Sequence, residues 1–173
     1  MKKFTTALVN TTMASSDKVQ VEIYIESLCP DCQNITLGSV YEAFNTEGFL
    51  EMADVTYIPY GNAHEYANGD SWTFTCQHGI DECVFNEIES CGNKYIADAY
   101  QRFGFTYCIE SNDVKRLSYQ EVIDVCTLYL SATERRNINA CWNTQEGVDL
   151  HHANALRTEA LVPAHTYVPW VVG

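Results

Sequence analysis

The stretch from Val19 to Cys32 constrains this chain more than any other: Val-Gln-Val-Glu-Ile-Tyr-Ile-Glu-Ser-Leu-Cys-Pro-Asp-Cys. Val19, Val21, Ile23 and Ile25 alternate with polar or amphipathic residues, the period-2 signature of a strand. Beyond the two cysteines the period changes. Leu37, Val40, Tyr41 and Phe44 recur at helical spacing. Cys29 and Cys32 therefore fall where an extended segment becomes a helix. The first N–H groups of a helix are unpaired and carry partial positive charge, so a thiolate there is stabilised and its pKa falls. Cys32 lies one turn further on, within reach of a mixed disulfide formed on Cys29. This is the arrangement of a redox site, and its two sulfurs carry both electrons without a cofactor.

A second strand, Ala53 to Tyr60, follows the helix, which ends near Asn45 to Gly48. Strand, helix and strand in that order form a right-handed βαβ unit with a parallel pair. Asn62 to Ser71 is polar and glycine-bearing and is expected to be a loop. From about Asp81 to Arg157 the pattern is helical, with Val84, Ile88 and Cys91 on one face and Val122, Ile123, Cys126 and Leu130 on another. Phe103-Gly104-Phe105 and Glu146-Gly147 are expected breaks between helices. The expected division is a leader or disordered segment over residues 1–18 and one domain over 19–173. A helical insertion over about 76–160 would cover the active-site face.

Acidic residues outnumber basic ones 23 to 10, a net charge of −13. No basic patch exists to neutralise phosphates, which argues against a nucleic-acid partner. The acidity serves solubility, or suits an acidic compartment in which carboxylates are partly protonated. Eight cysteines in 173 residues point to an oxidising or endosomal setting. Cys76, Cys83, Cys91, Cys108, Cys126 and Cys141 are the six left to pair as structural disulfides. Six cysteines allow 15 connectivities; Cys126 and Cys141, in neighbouring helical segments, are one candidate pair. Lys2 and Lys3 resemble the basic start of a signal peptide, but Phe4 to Ser16 has no apolar core to follow it. No run is long and apolar enough to insert in a membrane.

The block Cys76-Gln77-His78-Gly79-Ile80-Asp81-Glu82-Cys83-Val84-Phe85-Asn86, with Cys91 beyond it, matches every fixed position of Cys-Gln-His-Gly-x-x-Glu-Cys-x-x-Asn-x-x-x-x-Cys. In this the chain resembles the gamma-interferon-inducible lysosomal thiol reductase family. Ile58-Pro59-Tyr60-Gly61-Asn62-Ala63, His152-Ala153-Asn154-Ala155 with Arg157-Thr158, and Tyr167-Val168-Pro169-Trp170 are similar as well, so the resemblance runs from about Val19 to Val172. It implies an α/β, thioredoxin-like fold with a disulfide-braced helical insertion. It also implies reduction of protein disulfides at acid pH in endosomes or lysosomes, or after secretion. Cys29 matches the attacking cysteine and Cys32 the resolving one. Pro169, with Val168 before it, matches the cis-proline that receives an extended substrate segment. The implied partners are disulfide-containing proteins and a small-thiol or protein reductant that recycles the pair. A thioredoxin-like sheet continues with a hairpin partner and a closing helix after that strand; ending at Gly173, this sheet is expected to be truncated at its C-terminal end.

Three further readings concern the site. Asp31 stands between the cysteines, where an ionised carboxylate opposes thiolate formation. Zinc held by the Cys29-x-x-Cys32 pair, with His78, Cys76 and Cys83 as further ligands, is the rival to a redox centre; the pair follows a strand and opens a helix, and the remaining cysteines lack a second Cys-x-x-Cys knuckle, so no metal is expected. His78, His151, His152 and His165 are candidates for tuning the site as pH drops, or are hydrogen-bonded structural residues. Asn10 and Asn34 begin sequons, and neither is expected to be used, since a glycan on Asn34 would crowd substrate.

Overall fold

The computed structural model describes residues 18–112 and 117–173; the expected leader and Asn10 lie outside them. Strand β1 (Val19–Ile25) leads into a helix in three sections: α1 (Pro30–Ile35), a π-helical turn (Thr36–Val40) and α2 (Tyr41–Phe44). A short α3 (Phe49–Met52) precedes β2 (Ala53–Pro59). β1 and β2 are parallel, in register from Val19–Ala53 to Ile25–Pro59, which is the expected βαβ unit. The three-residue β5 (Trp170–Val172) pairs antiparallel with β1, Tyr24 opposite Trp170. The sheet order is thus β2-β1-β5. As the central strand, β1 is covered on both faces at its end nearest the cysteines: Ile23, Tyr24 and Ile25 are all buried, while Val19 is exposed. The alternation in the sequence therefore marks one face of a strand whose other face is also covered.

The segment expected as a loop is instead a hairpin of β3 (His64–Asn68) and β4 (Ser71–Thr75), with Asn68 opposite Ser71. Its turn is the two residues Gly69-Asp70, with Gly69 at φ +62. A positive φ at the first turn residue matches the twist of the flanking strands. The signal was present in Asn-Gly-Asp-Ser between Tyr66 and Trp72 and in the alternation of Trp72 and Phe74, which stack on His152 and His151; β3 is mostly exposed and adds no apolar stripe of its own.

Among the described residues, five helices lie between β4 and β5: α4 (Ile80–Tyr95), α5 (Ala99–Ser111), α6 (Tyr119–Cys126), α7 (Ala132–Cys141) and α8 (Gln145–Glu159). Capping boxes of Ser118 with Glu121 and Ser131 with Glu134 define where α6 and α7 begin. Phe103-Gly104-Phe105 is no break; it lies within α5, where Gly104 gives the Tyr129 hydroxyl room to approach. Glu146-Gly147 likewise falls inside α8, the actual break being at Trp142 to Thr144. Phe85, Ile88, Phe105, Ile109, Val122, Ile123 and Ile138 form the core of this helical block. A separate core joins the sheet, the α1–α2 helix, Phe103 and Val168. Among the described residues no helix is long and apolar enough to cross a membrane.

Candidate active site

Of the eight cysteines, six are bonded: Cys76–Cys83, Cys91–Cys141 and Cys108–Cys126. The candidate pair Cys126–Cys141 is not formed. Cys126 bonds to Cys108 of α5 and Cys141 to Cys91 of α4, so α6 is tied to the helix before it and α7 to the first helix of the block. Cys29 and Cys32 remain free thiols. Cys76 and Cys83 being bonded to each other, neither is available to bind zinc with His78.

Cys29 is the N-cap of α1 and Pro30 its first residue, a position where the missing proline N–H costs nothing. The Cys32 N–H points at the Cys29 sulfur at 3.4 Å. Cys29 is 6 % exposed and Cys32 is fully covered, so of the two residues only Cys29 touches solvent. The Cys32 thiol hydrogen-bonds to Cys29 and brings its pKa down to about 6, helped by the backbone N–H groups of Cys32 and Asp31 and opposed by burial and by the charge of Glu26. The same shared proton, together with burial, pushes Cys32 strongly upward. The two thiols are thereby separated into a nucleophile and a proton-bearing partner.

The turn into α1 is held from both sides. Leu28 adopts φ +68, a left-handed conformation that costs a non-glycine residue about 1 kcal/mol or more. Its side chain packs against the helical-block core, which fixes the turn. Ser27 and Glu26 are buried. The Ser27 N–H donates to Asn86 Oδ1 at 2.9 Å and its hydroxyl to Glu89 Oε2 at 2.8 Å. Glu26 Oε2 accepts the Asn62 N–H at 2.7 Å, and Gly61 is needed beside it because a Cβ there would collide with the carboxylate. The residues of the Cys76–Cys91 motif thus grip the turn that presents Cys29.

His78 bridges Glu26 and Glu82, its Nδ1 3.6 Å from Glu26 Oε1 and 2.6 Å from Glu82 Oε2. These three have the side chains to hold a metal ion, with ligand atoms within 4.8 Å of one another. Hydrogen bonds already engage Glu26 Oε2 and Glu82 Oε2. Burial raises Glu26 and Glu82 above the ordinary carboxylate range. His151 is fully buried between Phe74 and Tyr60, and burial lowers it to about 3. His152 stacks on Trp72 and bonds Glu65 at 2.7 Å. His165 lines a surface pocket of about 390 Å³ with Tyr60, Asn62, His64 and Glu159. Only His78 of the four histidines singled out belongs to the group around the dithiol turn. Asn34 is solvent-exposed on α1.

The Val168–Pro169 peptide is cis, and Val168 is buried in the same cluster as Cys29 and Cys32. The chain segment before β5 therefore shares a hydrophobic cluster with the dithiol. Sequence reasoning missed Glu26, Ser27, Glu89 and Glu110. The last two look like ordinary polar positions of amphipathic helices, and only the packing of α4 and α5 buries them.

Comparison with known proteins agrees with this geometry. The family profile described as gamma interferon inducible lysosomal thiol reductase matches residues 20–130. The chain is 34 % identical over 157 residues to the gamma-interferon-inducible lysosomal thiol reductase of Carassius auratus, covering 91 % of this chain and 60 % of that protein. With the mouse protein of the same name (Mus musculus) it shares 33 % over 160 residues, 91 % of this chain and 61 % of that one. A gamma-interferon-responsive lysosomal thiol protein of Arabidopsis thaliana is 32 % identical over 162 residues, 94 % of this chain and 64 % of the relative. The chain thus spans about three fifths of the length of these curated relatives. Its dithiol turn, its motif cysteines and this breadth of similarity make it a member of the gamma-interferon-inducible lysosomal thiol reductase family.

Proposed function

We propose that this protein reduces disulfide bonds in protein substrates, and that it does so at acid pH, in endosomes or lysosomes or after secretion. The observation that carries this is the Cys29 sulfur at the start of α1, lowered to about 6, in front of a Cys32 that keeps its proton. An ordinary thiol titrates near ~8.5 and is almost wholly protonated at pH 5. With a pKa about 6, roughly a tenth of Cys29 is thiolate at that pH.

The Cys29 thiolate attacks one sulfur of the substrate disulfide. A Cys29–S–S–substrate bond forms, the substrate's own S–S bond breaks, and one substrate sulfur leaves as a thiol after taking up a proton. Cys32 then loses its proton and attacks the Cys29 sulfur, releasing the second substrate thiol. The substrate gains two electrons and the dithiol becomes a disulfide, which a small-thiol or protein reductant must return to the reduced form. Val168 and Pro169 are the proposed contacts for the extended substrate segment, through backbone groups beside the dithiol. The six bonded cysteines have a structural role in this reading, and residues of about 76–160 act as an insertion that braces the site.

A second reading, a disulfide oxidant or isomerase, draws on the same lowered Cys29, because a stabilised thiolate favours the reduced enzyme and so makes the disulfide form more oxidising. A non-catalytic binding protein on this scaffold is the third. Insulin reduction near pH 5 tests the set: turnover that vanishes in Cys29→Ser supports the enzyme, and no turnover in the parent refutes it. A dithiol reduction potential well above that of the compartment would assign the oxidant.

A further inference from the structure

Three side chains beside the dithiol turn converge on one point, and the thiol chemistry above uses none of them. Glu26 follows directly on β1, His78 lies between β4 and α4, and Glu82 stands in the first turn of α4. His78 Nδ1 is 2.6 Å from Glu82 Oε2 and 3.6 Å from Glu26 Oε1. No two of the three donor atoms are further apart than 4.8 Å. Around a tetrahedral zinc ion, nitrogen and oxygen ligands about 2 Å from the metal stand roughly 3.3 Å from one another. The observed separations bracket that value.

One oxygen of this group has nothing to bond. Glu82 is fully covered, and its Oε1 has no hydrogen-bond partner among the described residues. A buried oxygen left so costs about 1–3 kcal/mol. The other oxygen, Oε2, accepts the His78 N–H at 2.7 Å. Glu26 is arranged alike: it is buried, its Oε2 accepts the Asn62 N–H at 2.7 Å, and its Oε1 is left on the side of His78. A backbone N–H thus fixes one oxygen of each carboxylate, the kind of support that metal-binding carboxylates have. The frame is stiff as well. The Cys76–Cys83 bond closes the loop that carries both His78 and Glu82, and Asn62 Nδ2 donates to Gln77 Oε1 at 2.9 Å, tying that loop to the Glu26 side. Charge points the same way. Among the described residues neither carboxylate has a lysine or arginine partner, and one imidazole balances at most one negative charge. A divalent cation balances both.

We propose that Glu26, His78 and Glu82 hold a divalent transition-metal ion, zinc by the chemistry of the donors, with water in the fourth place. An imidazole with two carboxylates suits zinc, whereas calcium and magnesium prefer oxygen alone. The ion takes the place of the proton that Nδ1 shares with Glu82; that proton goes to solvent, and the imidazole keeps its other one on Nε2. The His78 side chain, 29 % exposed, is the way in and leaves room for the water. This is not the zinc site weighed from the sequence, since Cys76 and Cys83 are bonded to each other and serve only to shape the loop. Bound there, the ion fastens the end of β1, three residues before Cys29, to the start of α4 and stiffens the turn that presents the dithiol. The site stands whether or not the protein reduces disulfides.

The test keeps the free thiols out of the way. The whole chain carrying Cys29→Ser and Cys32→Ser is dialysed against zinc at pH 7, and its metal content and melting temperature are measured. One zinc per chain is expected, together with a melting temperature that rises with zinc concentration. His78→Ala or Glu82→Gln in the same background should weaken binding by roughly a hundredfold, as loss of even a supporting residue of a metal site can. His152→Ala, which removes the imidazole–carboxylate contact with Glu65, is the control and leaves binding as it was. No stoichiometric zinc in the serine background, or zinc retained undiminished by His78→Ala, overturns the proposal. Zinc bound by the parent alone would put the ion on the thiols and overturns it equally. Should Glu82→Gln fail to fold, His78→Ala carries the test, because it changes a side chain that is partly in solvent.

Discussion

The half of the molecule built on the sheet and the half built on five helices handle sulfur in opposite ways. The strand side carries Cys29 and Cys32, both reduced, at the end of a central strand. The helical side carries six cysteines, all bonded, with Cys91, Cys126 and Cys141 fully covered. Thiolate character and access decide which sulfurs react. At the dithiol, helix-terminal N–H groups and a shared proton lower one thiol. In the helical block every sulfur is already bonded, so none is a thiolate, although Cys76 and Cys108 are partly exposed. The two halves thus differ in sulfur chemistry more than in access: the reactive sulfur, itself 6 % exposed, stands at a helix end, and the other six are held in bonds.

The most drastic way to break that contrast is to remove its reactive side. Cys29→Ser is expected to abolish reduction of insulin at pH 5 while thermal unfolding stays cooperative, checked by turbidity assay and melting. The reverse experiment comes next. Replacing Cys91 and Cys141 together by Ala opens a crosslink spanning 50 residues, worth about 4 kcal/mol by the loop-entropy estimate. The melting temperature should drop by roughly 10 °C, with iodoacetamide still modifying Cys29 below that temperature.

The pH dependence sharpens the comparison further. Alkylation of Cys29 should show a midpoint near pH 6, about two and a half units below a free thiol. Stability should respond to pH through different groups. Burial raises Glu87 to about 7 and Glu89 to about 8. Their folded forms hold the proton more tightly than the unfolded chain, so this contribution is complete below the ordinary carboxylate range and is lost as pH climbs to about 8. Burial lowers His151 to about 3, so its contribution is complete above the ordinary imidazole range and is lost as pH falls toward 3. Glu89→Gln should therefore raise the melting temperature more at pH 7.5 than at pH 5, and His151→Phe more at pH 5 than at pH 7.5. The smallest effect belongs to Asp31→Asn: with the carboxylate exposed, Cys29 alkylation at neutral pH should quicken only about twofold, and less in acid.

Local pattern made the βαβ unit and the position of the dithiol legible, because strand alternation and helical spacing are both properties of neighbouring residues. The Cys76–Cys91 motif was legible as a signature but silent about its work, which is to hold the Glu26–Leu28 turn through Asn86, Glu82 and Glu89. Disulfide partners were beyond reach, since pairing Cys91 with Cys141 depends on how α4 meets α7 across 50 residues. Burial of Glu110 was equally hidden: its neighbours Ser111 and Asn112 are polar, and only the approach of α4 and the dithiol helix covers it. The hairpin from His64 to Thr75 was missed although its turn residues announced it, because β3 is mostly exposed and the apolar alternation is confined to Trp72 and Phe74 of the short β4.

The left-handed residue Leu28 has a consequence for engineering and for inheritance. Its backbone belongs to the sheet side and its side chain is clamped by the helices, so it works like a hinge pin driven through both leaves. Swapping either leaf for a foreign one would leave the pin loose and let the nucleophile swing out of line. Chimaeras that exchange the strand half and the helical half between distant relatives should fold yet lose their chemistry, unless residue 28 and the wall that grips it travel together.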